Sequence, residues 1–230
     1  MNLSETRYKQ FSFTRFLLVG LQSLSLACAA SAFGVSGLEV EAKEPPKKAV
    51  ATYFPMQKGT WWKYRITRGD SVYDFTLRVV DVQKENNEDV YEIDTIAQQT
   101  IKDWYVRRGD QILRLRQHFG DNPSARVVFE PPYLLMVDPL KLASNWQWQG
   151  KGMLGVKVVD NSQVEAFEDL DLEVGKFNAA RIVSNVKQDK SRLQKIYWYA
   201  AGVGLVKSKV TNGDVSSITE LIDYSFKPRK

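Results

Sequence analysis

Histidine and cysteine do most acid–base, metal-binding and nucleophilic chemistry near neutral pH. Each occurs once among the 230 residues, as His118 and Cys28. His118 stands between Gln117 and Phe119, just ahead of a Gly120-Asp121-Asn122-Pro123 turn sequence. A catalytic imidazole needs a second organised group, and a zinc site needs several ligands, so His118 reads as a turn-proximal surface residue. Cys28 falls in a leader-like segment and is no nucleophile of the folded body. One cysteine also excludes an intrachain disulfide framework. That leaves the carboxylates. The run Glu165, Glu168, Asp169, Asp171 and Glu173 is acidic enough for calcium, but it lacks the D-x-D-x-D-G order and its turn glycine. Asp169, Asp171 and Glu173 alternate with Leu170, Leu172 and Val174, the pattern of a strand with one solvated face. Paired carboxylates for glycoside hydrolysis converge only in three dimensions, and no pair stands out.

Three further motifs read as structure. Arg68-Gly69-Asp70 and Arg108-Gly109-Asp110 have the form of an adhesion tripeptide, but Gly-Asp is common hairpin-turn chemistry. Gly150-Lys151-Gly152 lacks the G-K-[ST] ending of a phosphate loop. Aromatic and basic residues interleave at 61–65 and 104–108 as in a surface that stacks bases, but inward aromatics alternating with outward cations explain this as well. No catalytic residue, metal ligand or cofactor is expected, and the sequence assigns no ligand-binding residue.

The first 32 residues read as a secretory signal. Arg7, Lys9 and Arg15 form a positive front, an apolar stretch from Phe16 to Leu26 follows, and small residues end it. Three outcomes fit this pattern. Ala30-Ser31-Ala32 offers a cleavage site before Phe33. Ser25-Leu26-Ala27-Cys28 resembles a lipobox that would place a lipid on Cys28, although the preferred Leu is displaced to Leu24. Residues 16–35 are also long enough to stay as an uncleaved anchor. Each outcome places the body outside the cytoplasm: in the periplasm, on the outer membrane as a lipoprotein, or outside the cell. The membrane is then met only through that lipid or anchor. Residues 33–52 form a linker with Pro45-Pro46 and mixed Glu and Lys. The leading 32 residues hold three of the 32 basic and one of the 27 acidic side chains, which leaves a net charge of +3. That charge is too mild for a nucleic-acid partner. A mean hydropathy of −0.34 argues against a polytopic membrane protein.

From Tyr53 onward the hydrophobic period is two. Trp62, Tyr64 and Ile66 alternate with Lys63, Arg65 and Thr67, and Tyr73, Phe75, Leu77 and Val79 share a phase that slips at Val79-Val80, predicting a bulge. Ile218, Ile222, Tyr224 and Phe226 share one parity. Turn sequences recur at strand-like spacing, Asn212-Gly213 being the strongest. The best helix candidate is a single turn over 139–144. The pattern predicts about ten strands in meander order.

The halves look alike. Pro55, Gly59, Thr60, Trp62 and Tyr64 recur as Pro139, Ala143, Ser144, Trp146 and Trp148, offset by 84 residues, and Trp104-Tyr105 before a glycine turn recurs as Trp198-Tyr199. The expected architecture is therefore all-β: one domain over 53–226, a curved antiparallel meander sheet or partly closed barrel built from pseudo-repeats at about 53–137 and 138–226. Trp62 and Trp146 serve as core anchors.

Tyr53-Phe54-Pro55 with Gly59, Trp62 and Tyr64 resembles the YFP-x3-G-x2-W-x-Y opening of a group of exported bacterial proteins of unknown function. Gly175-Lys176-Phe177-Asn178-Ala179-Ala180-Arg181-Ile182 is similar to a strand of that group, with one residue more before the Arg. Residues 198–207 resemble its W-Y-A-x-G-V-G-L-V-K hairpin. The resemblance covers about residues 53–226. It implies a secreted protein or lipoprotein with an antiparallel β fold shaped like the periplasmic lipoprotein carriers, and it transfers no catalytic residue. The expected function is that of a non-enzymatic envelope protein that binds an apolar, lipid-like ligand or a partner protein. A purely structural assembly module and a hydrolase working through Asp or Glu are the alternatives.

Overall fold

The computed structural model describes residues 52–226 apart from 121, 123, 124 and 190; Cys28, the leader and the linker as far as residue 51 lie outside these residues. Alternation governs the fold. The first half supplies β1 (Trp61–Arg68), β2 (Ser71–Glu85), β3 (Glu88–Ile96), β4 (Ile101–Arg108), β5 (Gln111–Phe119) and β6 (Arg126–Val137). The second supplies β7 (Asn145–Lys151), β8 (Lys157–Leu172), β9 (Gly175–Gln188), β10 (Ser191–Ala200), β11 (Gly204–Asn212) and β12 (Val215–Tyr224). They form one antiparallel sheet in the order β6-β5-β4-β3-β2-β1-β12-β11-β10-β9-β8-β7, nearly closed into a barrel. The seam falls between β6 and β7.

Three local expectations need correction. Residues 139–144 form a hydrogen-bonded turn, with Ser144 N donating to Lys141 O at 3.0 Å, and not a helix. Six residues between two strands are too few to nucleate a helix. Twelve strands form where alternation predicts about ten, partly because Pro131-Pro132 hides the period of β6. In β12 the inward residues are Ser217, Thr219, Leu221 and Tyr224, whereas Ile218 is exposed. The ladder with β1 skips Ile222, and this bulge changes the phase. The bulge expected at Val79-Val80 is present, between Val79 and Asp81 in the ladder with β3.

The aromatic anchors tie distant strands together. Trp62 Nε1 donates to Val203 O at 2.7 Å and Tyr64 OH to Leu205 O at 2.8 Å, so one motif on β1 reaches past β12 to the start of β11. Gly204 lies between them at φ +99°, where a Cβ would stand 3.4 Å from Pro55. Across the seam, Trp146 Nε1 donates to Leu135 O at 3.2 Å and Trp148 Nε1 to Pro132 O at 2.7 Å. Prolines cannot donate a ladder bond, so β6 is a poor template for another strand, and the two indoles close the gap instead.

Trp148 lies against Gly150, where a Cβ would come within 2.3 Å of the ring. Gly150→Ala is therefore expected to displace the indole and lower stability by about 1–3 kcal/mol in urea unfolding. An unchanged midpoint would show that the ring does not need that space.

Charges cover the outside. Lys63 and Arg65 pair with Asp74, and Lys207 pairs with Glu220. The acidic run is spoken for in the same way. Arg181 holds Glu168 at 2.6 Å and Glu165 at 2.9 Å, Asn178 donates to Asp169, Lys176 pairs with Asp171 and Arg65 with Glu173. A charged exterior around an aromatic interior is the inverse of a membrane barrel.

Candidate functional site

Inward phases of nine strands meet around a cavity of about 280 Å³. At one end its lining includes Phe54, Pro55 and Trp62, and at the other Arg68, Tyr73 and Gln99. The segment 52–60 lies across the first end. Gly202 N donates to Thr52 O at 2.7 Å, Gly59 N donates to Val79 O at 2.9 Å, and the Phe54 ring packs on Tyr105 at 5.3 Å. Asp138, on the link after β6, fastens this strap. It accepts from Thr52 Oγ1, from Tyr53 N at 2.9 Å and from Arg107 Nη2 at 2.5 Å. At the opposite end Gln99 is exposed and Arg68, Tyr73 and Ala97 are part exposed, so that end communicates with solvent.

The middle of the cavity is not purely apolar. On β10, Leu193, Lys195, Tyr197 and Tyr199 share the inward phase, and Lys195 is only 6% exposed. On β4, Asp103 and Tyr105 point inward. Arg114 on β5 binds Asp103 at 3.1 Å and packs its guanidinium over Tyr133 at 4.8 Å and Phe129 at 5.1 Å. Its Nε has no hydrogen-bond partner. Asp160 on β8 accepts from Ser184 Oγ at 2.5 Å, Ser162 Oγ at 3.1 Å and Tyr133 OH at 3.4 Å.

Burial sets the ionisation of these groups. It pushes the Asp103 carboxyl up, against the pull of Arg114. It works against the charge on Arg114, but the Asp103 carboxylate opposes it through charge and hydrogen bond, and the guanidinium stays charged. Tyr105, Tyr133, Tyr197 and Tyr199 are all raised, chiefly by burial, so their phenols are neutral. Burial pulls the Lys195 ammonium down to about 8, with Asp160 opposing the fall and Arg114 adding to it.

The sequence comparisons offer no guide to this chemistry: no family model and no curated protein matches the chain. Two solved structures are similar in fold. One is a candidate lipoprotein of Parabacteroides distasonis, at 13% identity and TM-score 0.49, over 77% of this chain and 100% of that one. The other is a candidate exported protein with a YmcC-like fold from Bacteroides fragilis, at 12% identity and TM-score 0.43, over 76% of this chain and 99% of that one.

The residues weighed from sequence lie elsewhere. His118 is at the end of β5, its Nε2 2.8 Å from Asn122 O, and no cluster of three His, Cys, Asp or Glu that could hold a metal occurs among the described residues. Both Arg-Gly-Asp sequences are hairpin turns, and Arg108 is clamped to Glu88 at 2.7 and 2.8 Å. Trp104 faces outward under Arg116, which corrects the inward aromatic expected there. Sequence reasoning missed Asp103, Arg114, Asp160 and Lys195. The signal was present for three of them: Asp103 shares its phase with Ile101 and Tyr105, Asp160 with Val158 and Val164, and Lys195 with Leu193 and Tyr197. A charged residue in an apolar phase is the mark that such an interior position leaves in a strand. Arg114 gave no such signal, because bulges break the phase of β5 on both sides of it.

Proposed function

We propose that the chain is an exported, non-enzymatic cell-envelope protein that holds an apolar, lipid-like ligand inside its barrel. The observation that carries this reading is the interior cavity of about 280 Å³, open among Trp62, Tyr64, Phe75, Leu77, Ile93 and Tyr199 where those rings could have filled it. The charged exterior supports a body in water, and the signal pattern of residues 1–32 supports export. An assembly module would need a free sheet edge, but β6 and β7 face one another across indole bonds. A carboxylate hydrolase would need two acids in the cleft; among the described residues the cavity lining has one, Asp103, and it is bound to Arg114.

The two six-strand halves are taken as copies within the same reading. Gly59 N and Ala143 N donate to the carbonyls of Val79 and Val164 at 2.9 and 3.0 Å, and those valines donate back to Thr60 O and Ser144 O. Opposite the Trp104-Tyr105 and Trp198-Tyr199 steps, the partner strands β5 and β11 each bulge by one residue, Leu115 and Val206.

The test is mass spectrometry of the protein purified from its producing cells, with organic extraction. An apolar molecule at about one per chain is the expected result. A chain that carries none and fails to take up a dodecyl-chain probe would overturn the ligand reading. The same spectrum fixes the mature N-terminus, at Phe33 or at an acylated Cys28.

A further inference from the structure

We propose that the cavity is built for a single-chain fatty acid, whose carboxylate is received by the Lys195 ammonium in the middle of the barrel. This deepens the apolar-ligand reading and rests on it.

The first observation is an unmet requirement. Lys195 is 6% exposed and lines the cavity, yet no hydrogen bond or ion pair reaches it among the described residues. A buried ammonium has three donors, and leaving them unanswered is costly. Nearby carboxylates are engaged elsewhere: Asp103 by Arg114, and Asp160 by Ser184, Ser162 and Tyr133. The second observation is independent. Arg114, also in the lining, has a buried Nε without a partner. Lys195 thus faces the cavity as a cation without a contact partner, beside an Arg114 whose fork is only partly answered, and a bound anion would meet that requirement.

Charge and volume narrow the class. Arg114 is already matched by Asp103, and Asp160 favours the Lys195 ammonium only through space, so what is missing is one contact partner, which a single carboxylate supplies. A phosphate dianion would bring a second charge with no counterpart into the interior. The rest of the lining, including Ile66, Phe75, Leu77, Ile93, Leu135 and Leu205, accepts hydrocarbon. A volume of about 280 Å³ is just below the usual ~300–1,000 Å³ range of small-molecule sites, enough for one slender chain and too little for a two-tailed lipid. The head meets Lys195 and the tail lies along the apolar part of the lining.

The test is calorimetric titration of the delipidated exported chain at pH 7 with dodecanoate, dodecanol and dodecyl phosphate. It is repeated with Lys195→Met, which keeps the length of the side chain and removes the charge. Melting curves establish that both proteins are folded. The wild type is expected to prefer dodecanoate over dodecanol by about 10–100-fold, the worth of a charge-assisted hydrogen bond. Lys195→Met should lose that preference while still binding dodecanol. The wild-type preference should also weaken by pH 10 as the Lys195 ammonium, beside Asp160, Arg114 and the Tyr197 and Tyr199 phenols, deprotonates. Equal affinity for dodecanoate and dodecanol in both proteins would overturn the carboxylate site and leave the apolar reading standing, with water answering the lysine. Tighter dodecyl phosphate would likewise overturn it. Binding of none of the three would remove both readings.

Discussion

Lys195→Met is expected to stabilise the ligand-free protein by about 3 kcal/mol at pH 7. In the unfolded chain the ammonium keeps its proton to about 10.5, whereas in the fold it loses it at about 8. Below pH 8 both states are protonated, and the folded state carries the full cost of a buried charge. Between about 8 and 10 the unfolded chain binds more protons than the folded one, so wild-type stability rises with pH. Above about 10 the trend reverses. Tyr64, Tyr105, Tyr133, Tyr197 and Tyr199 hold their protons longer when buried, so there the folded state binds the excess. Urea unfolding from pH 7 to 10 should show a climb in the wild type that Lys195→Met lacks. A variant that is less stable at pH 7, or that climbs in parallel, would mean that Lys195 is already solvated in the fold. Such a liability, kept in a cavity lining, fits a residue retained for a ligand.

Trp62→Ala is expected to cost about 3–5 kcal/mol, the usual penalty for emptying a large aromatic site. The ring is 5% exposed, packs edge-on to Phe226 at 5.6 Å and donates to Val203 O at 2.7 Å. Its loss opens a void beneath the strap and leaves that carbonyl short of a partner. Trp62→Phe separates the two effects, keeping most of the apolar fill and losing the hydrogen bond, for about 1–2 kcal/mol. Thermal or urea midpoints for the pair measure both. A loss below about 1 kcal/mol for the alanine variant would show that the β1 anchor does not hold the β10–β11 corner.

The periodicity of two was enough to give an antiparallel, all-β body, since inward apolar side chains at Trp62, Tyr64, Phe75 and Leu77 fit no helix. It placed the hairpin turns at Gly69, Gly109 and Gly213, which adopt φ of +54°, +58° and +57°. It also placed the bulge after Val79, because a bulge shifts the hydrophobic phase in the sequence itself. It failed in β12, where Ser217 and Thr219 take the inward places and Ile218 the outward one. Polar side chains there line the cavity, and a pattern that equates inward with apolar cannot register that.

The interior site was hidden for the same reason. Lys195, Asp103 and Asp160 each sit one step out of the polar phase, and a single strand does not reveal which charges its neighbours answer. Composition and spacing determined the strands, their turns and the scarcity of histidine and cysteine chemistry, because those properties are local to the chain. Closure of the sheet, the pairing of Arg114 with Asp103 and the isolation of Lys195 were decided only by the tertiary structure. Each depends on strands far apart in sequence meeting across one enclosed, low-dielectric space.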